Sequence, residues 1–178
     1  GQSDYIWYTN LNSSSGFDIK GIDNGTEIQT TYMNQGYLTF YETEEHGKKE
    51  IETYTAVDMG NSLYGKRELS LLGNGKYVMV KYTVENMGDS VQTFKIGSSA
   101  DVQIGNNDFA PVVGTSTGLS MSGEPKNSYK FNLFAPTVTT LWYGHFSEAD
   151  ENVFTDLSDK STPYTDDSGM AWSWTGTV

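Results

Sequence analysis

The chain has 178 residues, enough for one ordinary domain with a sizeable core. It carries 11 Lys and Arg against 23 Asp and Glu, a formal charge of −12, so phosphate backbones and anionic membranes are poor partners. It has no cysteine, which excludes a disulfide framework, a thiolate metal site and a Cys nucleophile.

No stretch approaches 18 apolar residues, so no helical membrane span is expected. The N-terminus, Gly1-Gln2-Ser3-Asp4, has neither a basic segment nor an apolar run, so no signal peptide is expected. An acidic, Cys-free chain rich in Gly and aromatics has the style of an extracellular, cell-surface β-domain. The strand-like end at Met170–Val178, with no sorting tail after it, suggests a piece of a longer surface protein.

The period is two nearly throughout. Tyr5–Thr9 is the first expected strand. Phe17–Ile22 and Thr26–Tyr32 follow, joined by Asn24-Gly25, a pair that accepts positive φ at both turn positions. Tyr37–Glu42 and Glu50–Val57 come next. Between them Glu44-Glu45-His46-Gly47-Lys48-Lys49 reads as a solvated hairpin tip, which gives His46 no catalytic role. Lys66–Leu72 pairs with Lys76–Asn86 across Gly73-Asn74-Gly75. In the second of these Val78, Val80, Tyr82 and Val84 share one face.

Asn86-Met87-Gly88-Asp89 is a third turn, leading into Val91–Ile96. Asp101–Ile104, Ala110–Val113 and Leu119–Met121 are weaker strands; Tyr129–Phe134, Val138–Tyr143 and Met170–Trp174 are clearer. Ser147–Ser158 is the one helical candidate, of a turn or two, with Ser147 as its cap. Asp156–Gly169 is a long exposed loop. So many short strands predict a single all-β domain over 1–178, a two-sheet antiparallel β-sandwich with at most one short helix.

Motifs for chemistry are sparse. No G-x-S-x-G, P-loop or G-x-G-x-x-G is present. Neither histidine has a partner at zinc-ligand spacing. A Ser–His–Asp triad assembles from distant positions and leaves no spacing to read. With 23 acids, any carboxylate pair for glycoside hydrolysis is arbitrary. Asp101-Val102-Gln103-Ile104-Gly105-Asn106-Asn107-Asp108 admits two readings. Its oxygens and glycine suit a calcium loop, though not at EF-hand spacing. Asx side chains serving turn backbone is the commoner role, and no cofactor is expected.

The aromatics carry more. Trp172 and Trp174 lie two apart, so they share a strand face; Trp142 and Tyr143 are adjacent and point to opposite faces. A flat ring covers the C–H face of a sugar, while polar groups serve its hydroxyls. Core filling is the commoner role for each Trp taken alone, and an exposed platform is expected among the set. The expected platforms are Trp142, Tyr143, Trp172 and Trp174, with Trp7 behind them. Asp101, Asn107 and His145 are the expected hydroxyl contacts.

Lys76–Asn107, in which a strand ending Val84-Glu85-Asn86 precedes a turn, a second strand and Gly97, resembles the supersandwich domains related to galactose mutarotase. Those enzymes place a His after that Gly. Here Ser98, Ser99 and Ala100 follow, which implies the scaffold without the epimerase chemistry. Asp101–Pro111 together with Asp167–Trp174 is similar to cell-surface domains of gut Firmicutes, among them non-catalytic starch adherence proteins of amylosomes. The resemblance covers about half the chain, Lys66–Pro111 and Asp166–Trp174. It implies a monomeric, non-enzymatic module that binds α-glucan without cleaving it. An adhesive or spacer domain that binds another protein is the main alternative, and a lyase, epimerase or glycosidase ranks last.

Overall fold

The computed structural model describes the backbone of residues 16–23, 26–33, 41–45, 48–60, 62–72, 77–104 and 107–178, and side chains within 62–66, 79–104 and 107–178. The strand expected at Tyr5–Thr9, the platform candidate Trp7 and His46 lie outside the described residues. So do the turn residues Asn24-Gly25, Gly73–Lys76 and Gly105-Asn106.

Twelve strands make up the described chain, with one 3₁₀ turn, η1 (Phe146–Glu148). They are β1 (Gly16–Asp23), β2 (Thr26–Met33), β3 (Tyr41–Glu45), β4 (Lys48–Gly60), β5 (Leu63–Leu72) and β6 (Tyr77–Asn86). The second half holds β7 (Thr93–Val102), β8 (Val112–Thr115), β9 (Gly118–Ser122), β10 (Lys130–Phe134), β11 (Thr140–His145) and β12 (Ser168–Thr177). The all-β expectation holds, and the strands form three antiparallel sheets. Two compact units divide the chain, one built around residues 97–175 and the other around 19–96.

The second unit contains a four-stranded meander, β3-β4-β5-β6. Glu45 faces Lys48 and Glu44 faces Lys49, so the charged tip expected there joins two paired strands. Leu72 faces Tyr77, which makes β5 and β6 the hairpin that the Asn-Gly signal announces. β1 and β2 are likewise hydrogen-bonded neighbours. The Asn86 turn is built by its side chain. Its Oδ1 accepts from the Gly88 amide at 2.9 Å, and its Nδ2 donates to the Ser90 carbonyl at 2.8 Å.

In the first unit β11, β12 and the later part of β7 lie side by side. A separate sheet runs β10-β9-β8. Ala100, Val102, Leu141, Tyr143, Met170 and Trp172 on one side of the first sheet share a core with Val112, Leu119 and Met121 of the second. The opposite side of the first sheet buries Trp142 and Ala171 against Ala149 and Val153. Alternation decides this split: neighbours 141 and 143 go to one core and 142 to the other. Because both faces are covered, β12 is buried without interruption from Ser168 to Ser173.

Of the turn or two of helix expected within Ser147–Ser158, a single 3₁₀ turn forms, at Phe146–Glu148. It is followed by further turns, with Asn152 N–H donating to Ala149 O at 3.3 Å and Thr155 N–H to Asn152 O at 3.1 Å. His145, not Ser147, caps it: the imidazole accepts from the Ser147 amide. The segment is instead fastened to β11. The Asp156 carboxylate accepts from Leu141 N–H at 2.9 Å, Leu157 N–H donates to Leu141 O, and the Thr140 hydroxyl donates to Val153 O. These ties to a strand outweigh what a weak helix former gains from two helical turns.

Candidate functional site

The expected platform residues separate on burial. Trp142 is 6% and Trp172 7% exposed, so neither ring offers a face to a ligand. Both correct the platform expectation, because each is held between a sheet and the element that covers it. Tyr143 is buried as well; its hydroxyl donates to the Thr162 carbonyl at 2.7 Å and ties the loop after Asp156 to the core. Burial raises the Tyr143 phenol above its ordinary range. Trp174 alone among the described Trp residues is half-exposed, with its indole N–H donating to Thr137 Oγ1 at 3.1 Å.

The expected hydroxyl contacts separate in the same way. Asn107 is buried, so it cannot reach a ligand on the surface. It serves a turn, closed by paired backbone bonds between Ile104 and Asn107. Its Nδ2 donates to the Gly123 carbonyl at 3.1 Å, while its Oδ1 has no hydrogen-bond partner. Asn127 braces the same turn through the Ile104 carbonyl. Of the two readings of 101–108, the turn role is therefore the one Asn107 fills. Among the described residues no group of three His, Asp or Glu side chains is arranged to hold a metal. Asp101 is half-buried on β7.

His145 stands at the end of β11, opposite Ser168. Its Nδ1 lies 2.8 Å from Ser147 Oγ, and its ring centroid is 4.7 Å from that of Phe146. Asp167 is close enough to feel it. Burial and the negative charges of Asp108 and Asp166 push the Asp167 carboxyl up, while His145 pulls it down. Burial and the carboxylates Asp166, Glu148 and Asp167 also raise the Tyr164 phenol. This end of the unit is a polar rim, rich in hydrogen-bond groups.

The exposed aromatic side chains of the first unit were not expected. Among its described residues they are Phe109, Tyr129 and Phe134, at 52%, 51% and 72% exposed. All three belong to the β8-β9-β10 sheet or the loops at its ends. Phe109 follows Asp108 of the rim, and the Lys126 ammonium sits 5.7 Å from its ring centroid. The signal was present in the chain. Phe131 and Leu133 take the inner positions of β10, which leaves Phe134 out of phase with the apolar set.

No protein family, no curated protein and no solved structure matches the chain.

Proposed function

We propose that the chain is a non-catalytic carbohydrate-binding module of an extracellular, cell-surface protein. Its layers would form the two-sheet, supersandwich-like frame that the resemblance implies. The observation that carries this reading is the grouping of Phe109, Tyr129 and Phe134, all exposed, on one small sheet and the loops at its ends. Three exposed rings beside Ser, Thr and Asn side chains match the two-sided chemistry of a sugar, apolar C–H against rings and hydroxyls against polar groups. The resemblance to starch adherence domains supports α-glucan as the ligand class. Calcium has no part in the proposal.

Isothermal titration with maltooligosaccharides, against cello-, xylo- and manno-oligosaccharides, tests it. Binding of the maltose series, weakened by Phe109→Ala or Phe134→Ala at unchanged fold, is the expected result. Intrinsic Trp emission is a poor readout here, because Trp142 and Trp172 are buried. That same burial favours the second reading, an adhesive or spacer domain. Silence across the whole glycan panel would select it.

A further inference from the structure

We infer that the outward face of the β8-β9-β10 sheet is a strip that grips an internal stretch of an extended, uncharged polysaccharide. The inference rests on the carbohydrate reading above and assigns its surface and mode.

The register defines the strip. Val112 faces Met121, which faces Phe131; these, with Leu119 and Leu133, point into the core. The residues between them point outward. One row is Val113, Ser120 and Asn132; the next is Thr115, Gly118 and Phe134. Ser122 opposite Lys130 adds a third. The strip is thus made mostly of small and polar residues, with a single large ring at one end. Gly118, beside that ring, is itself buried. A Cβ there would collide with the Leu133 carbonyl, so no other residue fits without moving the backbone.

Charge selects the occupant. The outward rows hold no carboxylate and one cation, Lys130, in a chain of net charge −12. A basic protein finds no counter-charge on the strip, and a polyanion must approach a strongly acidic molecule. A neutral polyhydroxyl chain meets neither obstacle. Among the described residues the Ser120 hydroxyl and the Asn132 side-chain amide have no hydrogen-bond partner, so both can serve sugar hydroxyls. Phe134 supplies the ring for the C–H face. The rise of about 3.3 Å per residue makes Lys130 to Phe134 a run of about 13 Å, long enough for a few sugar rings. One side of this sheet is closed, since β8 bonds to Tyr164 and Lys160. The exposed row along β10, Lys130, Asn132 and Phe134, offers its contacts to the length of a chain rather than to its terminus.

The test is titration calorimetry on the intact chain with the maltose series, and with the same sugars reduced to alditols. Affinity is expected to rise with chain length until the strip is filled, and to be indifferent to reduction of the end. Asn132→Ala and Ser120→Ala should each weaken binding about 3- to 10-fold, the usual scale of one hydrogen bond. Phe134→Ala should weaken it at least about tenfold, the scale of a central aromatic contact. Asn132 and Phe134 are exposed and Ser120 is half-buried, so the first two variants should melt with the parent, and the melting curve is recorded alongside for all three. Binding that survives Phe134→Ala and Asn132→Ala but fails in Phe109→Ala, or that is lost on reduction of the end, overturns the strip and leaves the carbohydrate reading intact. Absence of binding to every glycan overturns both.

Discussion

Replacing Trp172 and Trp174 separately by Ala measures how unequally two rings on one strand face are used. Trp172 is 7% exposed within the core that also holds Met170, Leu141 and Tyr143. Its truncation leaves a large cavity between two sheets, and such changes cost about 3–5 kcal/mol. For a chain of this length each kcal/mol lowers the melting temperature by about 2–4 °C, so the expected loss is roughly 6–20 °C. Trp174 packs on the edge of the same core and loses one hydrogen bond, to Thr137. Part of its burial and that bond together come to about 1–2 kcal/mol, a loss of roughly 2–8 °C. Thermal unfolding followed by near-ultraviolet circular dichroism gives both numbers. A Trp174 variant that melts at or below the Trp172 variant would refute the assignment of Trp172 to the interior.

Gly97→Ala is expected to destabilise by about 1–3 kcal/mol in urea, because the added Cβ meets the Trp172 carbonyl, Ser173 Cβ at 2.7 Å and Val153 Cγ1 at 2.8 Å. Tyr143→Phe removes the bond to Thr162 O and should cost about 1 kcal/mol, with faster proteolysis in the 156–167 loop as the more sensitive readout. Two carboxyls should respond to acid with opposite signs. The Asp167 carboxyl is raised by burial and by Asp108, so the folded state holds its proton more tightly; its unfavourable contribution disappears as pH falls through its folded value. Asp167→Asn should therefore be more stable than the parent at neutral pH, with the gap closing in acid. Burial pushes Asp156 up, but the Lys160 ammonium at 2.9 Å and the Leu141 amide hold it below its ordinary value. Its contribution is present above the unfolded value and is lost as pH falls, so Asp156→Asn should narrow its deficit in acid; denaturation curves across pH 3–7 check both.

The strands were legible because sequence order and pairing are local here. Asn-Gly pairs and alternation located β1 with β2 and β5 with β6. Alternation also placed Trp142 and Tyr143 on opposite faces, and the structure sends them to different cores. Period two cannot say whether a face meets water or a second layer. That is why Trp142 and Trp172 read as exposed platforms, although segment 146–157 covers one and the β8-β9-β10 sheet covers the other. The same blindness hid Phe134, whose exposure follows from Phe131 and Leu133 claiming the core side. Asn107 reads as a hydroxyl contact in the sequence, and only the contact with Gly123, sixteen positions on, shows that it braces a turn.

The bonds between Val112 and Tyr164, and from Gly114 to Lys160, give β8 neighbours on both sides. The loop over residues 156–167 thus works as a guard rail on a sheet border. Its own Asp159 carboxylate is held down at about 2 by the hydrogen bonds it accepts from Ser161 and Thr162. Cutting the chain between Lys160 and Tyr164 would do more than free a surface loop. It would bare a strand edge with unpaired amides and carbonyls, a template on which a second molecule could add its own strand. The pairing of this strand edge thus rests on a few backbone bonds to a polar loop.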